Sequence, residues 1–465
     1  MSQPQVVVVG GGISGLAAAH ALAQSGAVVV TLLEASDHVG GKLLTHQVGG
    51  LQLDAGAESV LARRPEAIDL MESVGLHDAI VHPAAAGASL WIGDSLCPLP
   101  THQLLGIPFD GREVARSEVL SEAGAARMRL DSVLPRTRFD GDISVGALVR
   151  ARMGPQVVDR LVEPLLGGVY AGSADDISVQ MAMPGLVDQL DSERSLMAAI
   201  RSLMGDRPSS GPVFASLRGG LGTLPQALTA TTDATFRTDA PVKLVQRSAD
   251  GWQVSVGRRA TAEVLDADAV ILACPAPATS AMLPDELAAA RRELATIEYA
   301  SVALVTYVFD RSTMPSLPDG TGVLVPPSEG HLLKAATFTS QKWGWVAEDY
   351  PDQVVVRVSV GRFGDASALE GNDEQLAADA LGELAASVDV PLKPIDHAVT
   401  RWPGALPQYR VGHRELAQRV RRELADAPGI EVCGAAMDGV GIPACIASAT
   451  AAATRVQEFL AQRGQ

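Results

Sequence analysis

The sequence predicts an α/β fold in which one parallel-sheet domain is assembled from both ends of the chain. Two observations carry this. A strand pattern, a glycine turn, a helix pattern and a second strand follow one another over residues 6–34. A second strand, glycine-rich loop and helix occupy residues 430–460. Such units build parallel sheets. Their distance apart in the chain predicts a discontinuous domain with other domains inserted between its parts.

The elements follow in order. Val6, Val7, Val8 and Val9 form a β-branched run of the kind buried on both faces of a parallel sheet. Residues 13–25 have helical spacing, with Gly26 as the stop. Residues 28–33 are a second buried strand ending at Glu34. Residues 65–74 read as a helix that starts on Pro65 and stops at Gly75. Residues 87–99 read as a hairpin turning at Gly93-Asp94. The stretch 110–205 is largely helical, over 113–129, 145–153 and 156–166. A Gly/Pro/Ser loop covers 205–212. Strands are expected at 242–247, 252–256, 269–273, 302–309, 321–325, 334–338 and 354–360. Helices are expected at 372–387 and 413–426, then a last strand at 430–433 and a last helix at 446–460.

Composition narrows the function. A chain of 465 residues suggests two or three domains, and 47% apolar residues exclude a disordered one. With 37 basic and 54 acidic residues the net charge is −17, which argues against an electrostatic nucleic-acid binder. Cys97, Cys274, Cys433 and Cys445 have no CxxC or metal-ligand spacing, so reduced thiols and no metal site are expected. No run of apolar residues is long enough for a transmembrane segment, and the N-terminus has no signal-peptide pattern. A cytoplasmic location is expected. Peripheral membrane contact stays open, because Pro98, Leu99, Leu104, Leu105, Ile107, Pro108 and Phe109 form an apolar stretch. The plainer reading makes that stretch a buried connection lining a pocket.

Three segments carry chemistry. Gly10-Gly11-Gly12-Ile13-Ser14-Gly15 fits the Rossmann-like dinucleotide turn between a strand and a helix. The helix N-terminus there presents unpaired N–H groups to a pyrophosphate. Glu34, at the end of the next strand, suits ribose hydroxyls and disfavours a 2′-phosphate. Gly40-Gly41-Lys42 and the segment 54–58 follow closely, a second approach of backbone and cation that a nicotinamide dehydrogenase does not need. Residues 433–443 form another glycine-rich turn before the last helix.

These three segments together resemble the FAD-dependent amine oxidase and protoporphyrinogen oxidase superfamily. The resemblance covers nearly the whole chain. Residues 58–65 (Glu-Ser-Val-Leu-Ala-Arg-Arg-Pro) and 163–172 (Glu-Pro-Leu-Leu-Gly-Gly-Val-Tyr-Ala-Gly) resemble its porphyrinogen oxidase branch. So do the Gly-Gly-Leu segment at 217–224, Leu406-Pro407-Gln408-Tyr409 with His413, and Val440-Gly441-Ile442-Pro443. Within the branch the chain is similar to the Gram-positive type, which oxidises coproporphyrinogen III to coproporphyrin III.

The resemblance implies three parts. They are a Rossmann-like FAD-binding domain (1–85, 210–295 and 425–465), a mixed-sheet substrate domain (86–109 and 296–424) and a helical domain (110–209). It implies that Gly10, Gly11, Gly12, Ile13, Ser14, Gly15, Glu34, Ala35, Gly41 and Lys42 hold FAD. Gly56, Ala57, Glu58, Ser59, Val242, Trp402, Gly434, Val440, Gly441 and Ile442 would complete that site. Lys42 departs from the Arg common after the second glycine pair, which removes a bidentate contact. No residue matches the cysteine that tethers flavin in monoamine oxidases, so FAD is expected to be non-covalent.

Forming a porphyrin from a tetrapyrrole porphyrinogen removes six electrons, which implies three two-electron rounds with O2 as acceptor and H2O2 as product. The hydride chemistry belongs to the cofactor, and the sequence names no catalytic side chain. The substrate's propionates need cations; Arg63, Arg64, Lys342, Arg362 and Arg410 are candidates, with Tyr170 and Tyr409 against the macrocycle. Transient contact with a ferrochelatase would suit product delivery. Protoporphyrinogen IX remains the alternative substrate. More remote alternatives are an amine or carotenoid oxidase and a non-catalytic FAD-binding protein.

Overall fold

The structure, a computed structural model, describes residues 3–463 apart from 140, 206–210, 258–261, 315 and 366. Most of the loop expected at 205–212 therefore lies outside the described residues.

The five-stranded parallel sheet explains the β-branched run. Its strands lie in the order Thr235–Arg237, Val29–Leu33, Gln5–Val9, Ala269–Leu272 and Ile430–Val432. Gln5–Val9 is its centre, with Val8 opposite Leu32 on one side and Ile271 on the other. Successive side chains point to opposite faces, and both faces are covered. Val6 and Val8 meet the helices Ile13–Ala23 and Ile442–Arg463. Val7 and Val9 meet a layer containing Trp252 and the helix His413–Ala425. Trp252 belongs to a small antiparallel sheet of Val242–Arg247, Trp252–Val256 and Glu263–Ala267.

A seven-stranded mixed sheet stands beside it. Its order is Asp396–Pro407, Tyr299–Asp310, Gln353–Val360, Leu333–Thr337, Gly322–Leu324, Ser89–Ile92 and Ser95–Pro98. Only Gly322–Leu324 and Ser89–Ile92 run parallel among its pairs. The helix Asp373–Val388, capped by the Asn372 side chain, packs on one face. The hairpin turn expected at Gly93-Asp94 joins its last two strands.

A third core joins short helices between residues 111 and 204. Arg152 holds it together at a point where both partners are buried. Its guanidinium donates to Asp131 Oδ1 at 2.6 Å, and Asp131 also accepts the amides of Leu196 and Met197 at the start of the helix Leu196–Met204.

Three expected helices differ. That at 156–166 is part of a longer run from Pro155 to Tyr170 with a π-helical turn at Val158–Val162. The stretch 113–129 breaks into Gly111–Arg116 and Glu122–Arg129, because Glu118 turns left-handed at φ 57° and Ser121 caps a new start. The last helix begins at Ile442, four residues before 446, since Pro443 is tolerated in a first turn.

Candidate functional site

The glycine turn is built by close approach. Gly10 adopts φ +106° and donates to Leu33 O at 2.8 Å. A Cβ on Gly15 would stand 1.8 Å from Gly10 O, so the helix can enter the turn only with glycine there. A Cβ on Gly12 would meet nothing within 4 Å, which leaves its outer side open to a ligand. Glu34 braces the turn: Oε2 accepts from the Gly11 amide at 2.6 Å, and Oε1 from the Ser36 amide at 2.8 Å. Exposed Ala35 lies between them. The backbone of Asp239 and Ala240 is tied to Ser36 and Glu34, which brings Val242 to the same edge.

The other segments close on this turn. Gly40 donates to Gly11 O at 2.8 Å, and a Cβ on Gly41 would lie 3.1 Å from Gly12 Cα. Ala57 donates to Lys42 O at 3.0 Å, and a Cβ on Gly56 would crowd Lys42 O. Trp402 donates from its indole to Ala55 O at 2.9 Å and lies across Gly56. A Cβ on Gly434 would stand 3.1 Å from Ser14 Oγ, so the C-terminal loop faces the start of the first helix. Val440 packs towards the helical core; Gly441 is exposed just before the N-terminus of Ile442–Arg463.

Two titratable groups here fit a bound anion. Desolvation lowers the Lys42 ammonium, which has no ion pair or hydrogen bond among the described residues. Burial pushes the Cys445 thiol up to about 11 beside Ser14 and Lys42, leaving it protonated and inert. A turn stripped of side chains, a helix N-terminus, an unpartnered lysine and a ribose-side carboxylate match a dinucleotide's diphosphate and ribose.

Glu58 sits differently from its neighbours. Its carboxylate meets Lys342 Nζ at 2.5 Å and Arg357 at 2.9 Å. Those two cations outweigh its burial and hold it at about 2. Arg357 also donates to Asp54 O and Gly56 O at 3.2 and 2.8 Å, which ties the 54–56 turn to the seven-stranded sheet. Asp54, beneath Gly220–Gly222, is pushed up to about 7 by burial, against the opposing pull of Arg357. Ser59 is half-buried beside Glu58.

The expected substrate residues fall into two groups. Arg63, Arg64 and Lys342 lie where Val60–Leu61 pairs with Phe214–Leu217; Lys342 stands 5.6 Å from the Phe214 ring. Arg63 is exposed, Arg64 is bound to Glu66 and Lys342 to Glu58. Tyr170 and Tyr409 are buried in the helical core, 5.9 Å apart, and Tyr409 donates to Ala435 O in the C-terminal loop. Phe363 N donates to Ala171 O at 2.6 Å, and Arg410 stacks on Phe363 while pairing with Glu298 at 2.8 Å. Phe363 and Trp402 share an apolar cluster with Ala171, Ala300, Val302 and Ala405, which joins this wall to the glycine-turn crevice. Burial raises Tyr170 to about 12 and Tyr409 well above its ordinary value, so both stay neutral.

Sequence reasoning missed Arg357, Asp54 as a titrating group, and Lys334, a buried cation in the strand beside Arg362. Arg357 and Lys334 each sit in a strand whose apolar pattern hides a single charge.

Two glycine-rich turns facing one crevice, one of them before the final helix, define a dinucleotide-dependent redox protein. No helix among the described residues is long and apolar enough to cross a membrane. The chain belongs to the flavin containing amine oxidoreductase family, whose model matches residues 13–457, and its cofactor is a flavin. It is 39% identical to a coproporphyrinogen III oxidase of Mycobacterium leprae, over 99% of this chain and 100% of that one. It is 31% identical to that of Bacillus subtilis, over 98% of each chain. A crystal structure from Exiguobacterium sp. 255-15, provisionally assigned as a protoporphyrinogen oxidase, superposes with a TM-score of 0.87 at 33% identity, covering 99% of this chain and 100% of that one.

Proposed function

We propose that this chain oxidises coproporphyrinogen III to coproporphyrin III in heme biosynthesis, with non-covalent FAD and O2 as acceptor. Full-length identity of 39% to a relative of that name carries the reading. The balance is six electrons and six protons lost by the substrate in three rounds, each giving one H2O2 from O2. Bound flavin supplies the two-electron acceptor.

The chain's residues do the rest. Gly10 to Gly15 and Lys42 seat the diphosphate, and Glu34 and Ala35 border the ribose. Val242 borders the adenine, and Trp402, Gly434 and Val440 to Ile442 the ring system. Glu58, locked between two cations, fixes the backbone of Gly56, Ala57 and Ser59 rather than meeting the cofactor with its own charge. Tyr170 and half-buried Phe363 border the macrocycle and exclude water, while Tyr409, expected there too but fully buried, backs Tyr170 from behind; neutral tyrosines do not compete for the pyrrole protons. Arg63 and Arg362, which have no carboxylate within salt-bridge distance among the described residues, are the better candidates for propionates; Arg64, Lys342 and Arg410 would first have to leave Glu66, Glu58 and Glu298. The three parts divide at the boundaries given above, the location is cytoplasmic, and product passes on to a ferrochelatase by transient contact.

The test is a side-by-side rate comparison. Purified flavin-loaded protein receives coproporphyrinogen III or protoporphyrinogen IX, and porphyrin fluorescence is followed above the autoxidation blank. A preference of about tenfold in kcat/KM for the first, roughly 1.4 kcal/mol, is expected. Equal rates or the opposite order favour protoporphyrinogen IX, the reading that the Exiguobacterium assignment supports. Denaturation in acid should release all flavin into the supernatant.

A further inference from the structure

Lys334 lies in the strand Leu333–Thr337 and is 5% exposed. An ammonium held out of water is costly unless an anion compensates it. None does so among the described residues: Lys334 has no ion pair or side-chain hydrogen bond there. The charge that acts on it is Arg362, another cation. Burial and that neighbour hold Lys334 down at about 8, and burial also lowers Arg362.

The backbone places this pair deliberately. The register slips between Leu333 and Ala335, so Lys334 is the extra residue of a bulge, a device that re-aims a side chain. Arg362 is pinned beside it by hydrogen bonds to the carbonyls of His331, Val325 and Leu333, at 3.3, 3.2 and 3.1 Å. The acids near Arg362 are Asp365, Glu383 and Glu163. Glu383 is occupied by the amides of Leu332 and Leu333, and Glu163 by Ser173 and Ala174. Phe363, the next residue, is bonded to Ala171 at the end of the helix Glu163–Tyr170. The two cations therefore adjoin the wall that carries Tyr170 and Tyr409.

We infer that Lys334 and Arg362 together seat a carboxylate of the substrate, an inference that takes its ligand from the porphyrinogen reading above. The compensating anion is then brought by the ligand, and Lys334 is a specificity-determining residue for an acidic tetrapyrrole.

The flavin-loaded protein is titrated with coproporphyrin III and with its tetramethyl ester, followed by porphyrin fluorescence. Wild type should prefer the free acid. Lys334→Met should weaken the acid by about tenfold or more, leave the ester within about twofold and keep its flavin. Lys334→Arg should restore most of the acid's affinity. Lys334→Met should also melt no lower than wild type, because it removes a buried charge without a partner; a structural lysine would give a lower melting temperature. Unchanged acid affinity in Lys334→Met overturns the proposal. If wild type binds neither porphyrin, the porphyrinogen reading fails by itself. The site is then judged with propionate: a rise in melting temperature seen in wild type and lost in Lys334→Met upholds it, and equal rises overturn it.

Discussion

Lys342 and Glu58 stand 284 positions apart in the chain and meet at 2.5 Å, with Arg357 on the carboxylate's other oxygen. The carboxylate is the only acid joining two cations there among the described residues. Glu58→Gln should leave both cations short of charge in a buried place and cost about 3–5 kcal/mol of stability. Urea unfolding of the variant, compared with wild type at one pH, measures this. A loss below about 1 kcal/mol would mean that water reaches the triad and screens it.

Asp54 makes stability fall as pH rises. Its carboxyl is raised to about 7 in the folded chain, so between its ordinary value of 3.8 and 7 the folded state holds a proton that the unfolded state has lost. This contribution to stability is full below about 4 and declines as pH rises towards 7, at up to about 1.4 kcal/mol per pH unit. Asp54→Asn should flatten the profile over that window. Denaturation midpoints at a series of pH values, wild type against variant, check it; parallel curves would refute it.

Two neighbouring glycines should respond in different ways. A Cβ on Gly15 would overlap Gly10 O, so Gly15→Ala should fail to fold or melt far below wild type. Gly12 has open space where its Cβ would go. Gly12→Ala should therefore keep its circular dichroism and melting temperature as apoprotein while losing flavin on gel filtration. Retained flavin in Gly12→Ala would place the diphosphate elsewhere.

Glu34 braces Gly11, and on the proposed reading it also borders the ribose. Charge-assisted hydrogen bonds of this kind contribute about 1.5–3 kcal/mol, so Glu34→Ala should weaken flavin binding roughly 10- to 150-fold. Flavin fluorescence during dilution of the loaded protein reads it directly. An unchanged dissociation constant would assign Glu34 a purely local role in the turn.

The parts legible in the sequence are those where local pattern and burial agree. The strands Val242–Arg247 and Trp252–Val256 and the helix Val145–Met153 have the expected bounds, because turn residues or Gly154 mark their ends. Glu263–Ala267 went unseen: it is the edge of its sheet and mostly exposed, so no apolar face announces it. Asp396–Pro407 also escaped, since Pro403 argues against a strand except at an edge, where it stands. In the site, the glycine turns were legible because backbone approach demands them, whereas the bracing of Gly11 and Ser36 by Glu34 was not. Arg357 and Lys334 were not, because their meaning comes from Glu58 and Arg362, neighbours only in the folded chain.

The central strand Gln5–Val9 leaves the ribosome about 420 residues ahead of the edge strand Ile430–Val432 and further still ahead of the helix Ile442–Arg463 that covers one face. At about 5–20 residues per second, roughly 20 to 90 seconds separate their synthesis. Through that interval the four consecutive valines lack a complete shelter, a length of time in which such runs stick to one another. Cells making this protein must therefore guard its beginning until its end arrives, and a chain truncated before residue 430 should accumulate in the insoluble fraction, whatever the soundness of its inserted parts.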